Sequence, residues 1–187
     1  SKFVSMLDIS YLARLTVDCT ALPEGYLDER LDRFKESFTL DYKMNGTGTG
    51  KEVDEDGRPI LRNVLLSDGS SVPSAGDLTG IKNFRKFYSR LLGIRMYVNV
   101  EEQMEQIEKV DLDHPHVEIV YEVDSEDHRS HTLKFYFYDE AGIWAFYTLD
   151  GEGRYIARAE DVRKALIAAK LVKEGKSVTE VLGEATD

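Results

Sequence analysis

Cysteine is nearly absent from this sequence: among 187 residues, Cys19 is the single one. One thiol cannot form an internal disulfide, and it cannot supply the ligands of a cysteine-based zinc site. Long apolar runs are absent too, so no segment is predicted to span a membrane or to act as a signal peptide. The sequence begins at Ser1 without an initiator Met, which is typical of a trimmed product, and a leader or anchor could have preceded it.

Positive charge is also scarce, since 24 Lys and Arg residues stand against 35 Asp and Glu residues, for a net charge of −11. Such a surface repels phosphate backbones, and no cluster of Lys and Arg offsets the repulsion in the sequence. We therefore predict that nucleic acid is not a partner. The composition is otherwise that of a globular protein, and a chain of this length buries enough surface to fold without a disulfide or a metal.

Alternation of apolar and polar residues predicts that much of the chain forms β-strands. The predicted strands are residues 14–20, 38–44, 60–66, 94–100, 117–123, 132–138, 143–149 and 154–158. Two stretches have helical spacing instead, residues 78–92 and 159–173, and each is followed by a glycine, Gly93 or Gly175. The remaining predictions are an ambiguous stretch at 27–38, a mobile loop at 45–59, a connector at 101–113 with one helical turn, and a frayed tail at 178–187.

These elements predict a single α+β domain over residues 1–187, with a twisted, mostly antiparallel sheet and two main helices on one face. Its two halves, residues 14–93 and 94–175, resemble each other in design. Each contains a strand, an Asp-Gly turn (Asp68-Gly69 or Asp150-Gly151), a short strand and an amphipathic helix. A duplicated strand–strand–helix unit explains this pattern, and two hairpin–helix units that arose independently explain it equally well.

Two segments carry a resemblance to a known family: FRKFYSRLLGIRM (84–96) and HTLKFYFYDEAGIWAFYTLDGEGRYIARAEDVRKAL (131–166). They resemble the bacterial family catalogued as domain of unknown function 4340, over residues 38–178. The resemblance implies an extracytoplasmic, often membrane-anchored domain that is sometimes found beside transporter or gliding-type envelope machinery. It implies no catalytic residues, and the acidic stretch 51–57 departs from the family pattern.

The glycine-rich stretch 46–51 does not predict a nucleotide site. It has three residues between its outer glycines where a phosphate-binding loop has four, and acidic residues follow its lysine. The acidic residues Glu52, Asp54 and Asp56 match only the first half of a calcium-binding loop, because Asn63 stands where a bidentate Glu is needed.

The four histidines do not predict a metal site either. His114 and His116 precede a predicted strand, and His128 and His131 lie near its far end, so the two pairs are about 20 Å apart. Cys19 has no histidine near it in sequence. We therefore predict no metal, no cofactor and no catalytic residue.

The function predicted from these observations is a non-catalytic, extracytoplasmic interaction or scaffold domain of a bacterial envelope protein. A small-ligand or glycan-binding module is the first alternative, and a hydrolase is the second. A four-residue turn at 139–142 predicts a candidate interaction surface for a protein partner, a second copy or another part of the same polypeptide. Its residues are Lys134, Tyr136, Tyr138, Ile143 and Tyr147.

Overall fold

The computed structural model describes residues 8–97, 103–124 and 129–184. Within these residues, seven strands form one sheet in the order β3-β2-β1-β4-β5-β6-β7, and every pairing is antiparallel. The strands are β1 (Leu12–Asp18), β2 (Lys35–Tyr42), β3 (Leu61–Leu65), β4 (Val117–Val123), β5 (Ser130–Tyr136), β6 (Trp144–Leu149) and β7 (Glu152–Arg158). The helices are α1 (Gly80–Leu92), α2 (Met104–Glu108), α3 (Ala159–Glu174) and α4 (Val178–Leu182). The predicted α+β class with an antiparallel sheet is confirmed.

The two halves of the chain follow the same plan in the sheet. β1 and β4 lie side by side at its centre. From β1 the chain steps outward through β2 and β3 and enters α1, and from β4 it steps outward through β5, β6 and β7 and enters α3. Two copies of one unit would give this arrangement, apart from the extra strand β7. A shared origin of residues 14–93 and 94–175 stays a prediction.

The two main helices, α1 and α3, cover one face of the sheet and pack against each other. Helix α1 buries Phe84, Phe87, Tyr88 and Leu91, which recur at helical spacing along one side. Two of these rings, Phe84 and Phe87, lie with their centroids 5.5 Å from that of Phe38 on β2. The apolar periodicity of the sequence therefore gave the correct buried side of this helix.

Helix α3 ends at Gly175, which has a left-handed φ of 72°. A Cβ at this position would stand 2.9 Å from Pro73 and 3.1 Å from the carbonyl of Ser74. Glycine is thus required both by the backbone conformation and by the close approach of the chain before α1.

The predicted frayed tail is wrong for the residues that the structure describes. Residues 178–182 form helix α4, and Val178 is buried in the main core. The buried amide of Asn83 on α1 holds this turn, because its Nδ2 donates to the Lys176 carbonyl at 2.9 Å and its Oδ1 accepts from Val178 N at 3.0 Å. The anchor is a residue 95 positions earlier in the chain.

The connection between β2 and β3, which was predicted as a mobile loop, contains two hydrogen-bonded turns. Backbone bonds close it at its base, from Lys43 N to the Ile60 carbonyl at 2.8 Å. Further bonds close two tips, from Asn45 N to Gly50 and from Asp54 N to Arg58. We call residues 43–60 the β2–β3 arm.

Three other predictions change in detail. The ambiguous stretch 27–38 holds the bridge between Asp28 and Leu31 and the start of β2, with no helix in it. In the predicted strand 94–100, Tyr97 makes a single bridge to Ile156, and residues 98–100 lie outside the described part of the chain. The helical turn predicted in the connector is present as α2.

Candidate functional site

The two faces of the sheet differ in what covers them. Side chains alternate between the faces along each strand, and directly paired residues share a face. The face away from α1 and α3 is half-buried or exposed over β1, β2, β4 and the start of β5. We call it the open face. It comprises Arg14, Thr16, Asp18, Lys35, Ser37, Thr39, Asp41, Glu118, Val120, Glu122, Thr132 and Lys134.

The open face is balanced in charge. Arg14 lies 3.5 Å from Glu122, and Arg62 at the edge of the face bonds to Asp41 at 2.7 Å. Further along the strands, the register places Lys35 opposite Asp18 and Glu118 opposite Lys134. Three basic residues of this face, with Arg62 at its edge as a fourth, therefore stand against four acidic residues, although the whole chain carries −11. A row of small hydroxyl side chains and Val120 runs between the charged rows.

One corner of the same side of the sheet is apolar and covered. Ile107 of α2 packs on Tyr136, Phe146 and Ile156, and these four side chains form a second buried cluster. The rings of Tyr136 and Phe146 are stacked with centroids 4.7 Å apart. The Tyr136 hydroxyl donates to the Leu112 carbonyl at 2.6 Å, which ties the segment 103–112 to the sheet. We call this segment the cap.

The structure does not bring the predicted interaction surface together. Tyr136 pairs with Phe146, and Phe135 pairs with Tyr147, so the predicted register of this hairpin is wrong by one residue. Tyr147 therefore lies on the helix-covered face, where its ring is 5.1 Å from that of Phe135. Tyr136 is buried under the cap. The other three predicted residues lie apart from these. Lys134 is half-buried on the open face, Tyr138 is half-buried beside the cap, and Ile143 is exposed.

The reason for the register error is a longer connection than the predicted four-residue turn. The carboxylate of Asp139 accepts hydrogen bonds from the backbone N–H groups of Ala141, Ile143 and Trp144, each at 3.1 Å. Phe137 leaves the strand ladder and donates its N–H to His116 Nδ1 at 2.8 Å. Nine residues, 137–145, therefore separate the paired residues Tyr136 and Phe146. This odd number, in place of the predicted four, shifts the pairing by one residue.

The histidines have local structural partners. His131 Nδ1 lies 2.8 Å from a carboxylate oxygen of Asp150, whose other oxygen accepts from Thr132 N at 2.7 Å. His114 Nδ1 lies 2.6 Å from Asp111, and the hydrogen bond to this ring lowers the pKa of the Asp111 carboxyl. Among the described residues, no Ser, Thr or Cys side chain bonds to either ring. His128 lies outside that part of the chain.

The acidic stretch of the β2–β3 arm folds onto its own backbone. Asp54 Oδ1 accepts from Asp56 N at 2.9 Å and from Arg58 N at 3.0 Å, which is the pattern of a side chain that closes a turn. Nowhere in the residues that the structure describes do three or more His, Cys, Asp or Glu side chains converge in a way that could hold a metal ion.

A cavity of about 520 Å³ lies at one end of the sheet, on the helix-covered side. Three parts of the chain form it: residues 8–10 before β1, the β2–β3 arm with the adjoining ends of both strands, and helix α1. Its polar lining residues are Asp8, Ser10, Tyr42, Asp54, Arg58 and Arg85. The sequence did not predict this site, because its residues are far apart in the chain and follow no shared motif.

Tyr42 lines the cavity and is held in place by hydrogen bonds. Its hydroxyl lies 2.8 Å from the Ile9 carbonyl and 2.6 Å from the Leu12 carbonyl. Burial raises its pKa, and the nearby Asp124 carboxylate raises it further, so the phenol stays protonated. Lys51 stands over the ring at 3.8 Å from its centroid. A neutral phenol bound to backbone cannot serve as a base.

Comparisons with known proteins give no match: no family model, no curated protein and no solved structure is significantly similar to this chain. The resemblance of residues 84–96 and 131–166 to domain of unknown function 4340 therefore stays a prediction. No helix in the described ranges has the length and apolar character needed to cross a bilayer.

Proposed function

We propose that this chain is a non-catalytic binding module of a bacterial envelope protein and that its open face docks a folded protein partner. The observation that carries the proposal is the charge balance of the open face within a chain of net charge −11. Charges of both signs, interleaved with Thr16, Ser37, Val120 and Thr132, match the polar surface of another protein. A nucleic acid or an anionic surface would require a predominantly basic face instead.

The strand geometry supports the same proposal. β1 and β4 are the central strands, so the open face is built on backbone that is paired on both sides. A face on paired central strands is rigid, and a rigid surface loses little entropy when it binds. The cap covers the adjoining apolar corner on β5, β6 and β7. The remaining area is polar, which is typical of partners that associate reversibly.

The reactive groups of the described residues favour a non-catalytic role. Cys19 is fully buried, and burial raises the pKa of its thiol to about 11, so it stays a thiol at neutral pH. The His131–Asp150 pair holds the end of β5. The hydrolase alternative would use convergent carboxylates, but Asp8 and Asp54 each accept from the backbone of their own turn.

Placement in the cell envelope, outside the cytoplasm and next to a membrane anchor, rests on the resemblance of residues 84–96 and 131–166. Fractionation of the native host, followed by protease treatment of intact cells or spheroplasts, tests it. Digestion from outside is the expected result. Protection until the cells are lysed would contradict the extracytoplasmic placement and would leave the docking proposal to its own test.

The docking test uses a photo-crosslinking amino acid at Thr16 on the open face, with Glu160 on the outer side of α3 as the control position. We expect a defined adduct from position 16 in the native host and none from position 160. The partner identified in that adduct should then bind the Val120→Asp variant about tenfold more weakly or worse, and the Glu160→Lys variant normally.

Three results would count against the docking proposal. The first is crosslinking that is equally strong from position 160. The second is normal binding by the Val120→Asp variant when its melting temperature is unchanged. The third is an adduct of twice the mass of this chain, which would identify a second copy as the occupant in place of a different protein.

Small-ligand binding is a second candidate, and the cavity at the end of the sheet favours it. Tyr42 is the sole aromatic side chain among the cavity-lining residues that the structure describes. A glycan site is usually lined by several aromatic rings, so the cavity favours a different class of ligand.

A further inference from the structure

The cavity at the end of the sheet contains two arginines that have no partner in the described part of the chain. Arg58 lies at the tip of the β2–β3 arm, and Arg85 lies on the facing side of α1. Their neighbours on β2, β3 and the arm are paired. Lys43 lies 3.2 Å from Glu52, Lys51 bonds to Asp124, and Arg62 bonds to Asp41.

Both arginines are solvent-exposed, in a chain whose acidic residues outnumber the basic ones by 11. Two carboxylates lie in the same cavity wall, Asp8 and Asp54. Neither is within ion-pair distance of the two guanidinium groups. Asp8 Oδ1 accepts from Ser10 N at 2.9 Å, and Asp54 Oδ1 accepts from the turn that it closes. Both carboxylates therefore accept hydrogen bonds from backbone N–H groups, and neither forms an ion pair with the guanidinium groups that line the cavity.

We infer that the cavity binds a small molecule through its single oxyanion group, a phosphate or a carboxylate, held between Arg58 and Arg85. A guanidinium group donates two parallel hydrogen bonds to such a group, and Arg58 and Arg85 both line this cavity. The Ser10 hydroxyl in the same wall is a further donor.

The two carboxylates of the cavity restrict which anion fits. Asp8 and Asp54 would repel a polyphosphate or a second carboxylate on the ligand. They would tolerate a neutral remainder and would attract a cationic one. The preferred ligand thus carries one oxyanion on a neutral or zwitterionic body, and a volume of about 520 Å³ accommodates a molecule of ordinary metabolite size.

The test uses the whole chain with ¹⁵N label and follows the Nε–Hε resonances of both arginines during titration. The probes are inorganic phosphate in one series and acetate in the other, each at constant ionic strength maintained with sodium chloride. We expect at least one probe to shift both resonances along a saturable curve. Binding should weaken about tenfold or more in Arg58→Gln and in Arg85→Gln.

The matched control is Arg62→Gln, which removes an arginine of the same β2–β3 region from the open face. It should leave the titration unchanged. Saturation with phosphate alone would assign a phosphate ester, and saturation with acetate alone would assign a carboxylate. Linear shifts with both probes, or equal loss of binding in Arg62→Gln, would overturn the inference. Melting curves of all three variants confirm that each one is folded.

This inference stands apart from the proposed docking function, because the cavity and the open face lie on opposite sides of the sheet. The Arg58→Gln and Arg85→Gln variants should still crosslink from position 16, and Val120→Asp should still bind the probe. If the crosslinking experiment fails, the titration can still succeed, and the reverse also holds, so the two proposals are tested separately.

Discussion

The two faces of the sheet are made by the same strands, yet they differ in what covers them. On the helix-covered face, side chains such as Leu15, Phe38 and Ile119 are buried in one continuous core with α1 and α3. On the open face, their direct neighbours in sequence, such as Thr16 and Val120, are half-buried, and none of the elements that the structure describes covers them. The alternation thus places the main core on the helix-covered face and leaves the open face largely polar.

The largest effect that separates the faces should come from Phe84. This side chain is fully buried against Phe38 and Phe87, so Phe84→Ala should lower the free energy of unfolding by about 3–5 kcal/mol. The matched change on the open face, Thr16→Ala, should cost less than about 1 kcal/mol. Urea unfolding of both variants measures the difference. Equal costs would mean that the open face contributes to the core.

A smaller effect should come from Tyr136, which lies on the side of the open face but under the cap. Tyr136→Phe removes the hydroxyl that donates to the Leu112 carbonyl and should cost about 0.5–1.5 kcal/mol. Amide hydrogen exchange should then be faster in residues 103–112 than in α1. The exposed Tyr11 supplies the control, since Tyr11→Phe should change neither quantity. Uniform loosening of α1 and the cap would show that the two clusters unfold as one.

The smallest effect should be a pH dependence at His116, beside the same corner. Burial lowers the pKa of this imidazole, and its Nδ1 must be unprotonated to accept the Phe137 N–H. The unfolded chain therefore binds the proton more readily than the folded one. The stabilising contribution is complete above the unfolded pKa of about 6.5 and is lost as the pH falls through the folded value.

Unfolding free energies between pH 7.5 and pH 5 check this sign. The loss of stability towards acid should be smaller in His116→Gln than in the wild type. His114→Gln, a change at an exposed ring, should retain the slope that His116 causes. A slope in His116→Gln that equals the wild-type slope would assign the acid sensitivity to other groups.

The sequence was a good guide wherever short-range periodicity decides structure. The apolar spacing of α1 and α3 located both helices, and Gly175 marked the end of α3. Alternation also located most of the strands, because each strand buries one face against the helices. These elements were predictable since their burial depends on neighbours at fixed spacing in the chain.

Long-range contacts decided the rest, and a single sequence contains little signal for them. Asn83 holds the first turn of helix α4, and no pattern in the tail indicates that anchor. The tail does contain a local capping signal, since Ser177 Oγ accepts from Glu180 N at 3.2 Å. The hairpin register depends on three backbone N–H groups that donate hydrogen bonds to the Asp139 carboxylate. The prediction of a four-residue turn was therefore wrong. The cavity assembles residues as distant as Ser10 and Arg85, which only the folded chain brings together.

Each of the two separate buried clusters has a side chain that can report its opening. Cys19, its single thiol, is buried in the main core, and Trp144, its single tryptophan, packs at the cluster under the cap with its ring 5.2 Å from that of Tyr97. A thiol reagent therefore modifies the chain only when the main core opens, whereas indole fluorescence responds when the cap lifts. Following both signals in one unfolding experiment, without any introduced label, would tell whether the cap detaches before the domain melts.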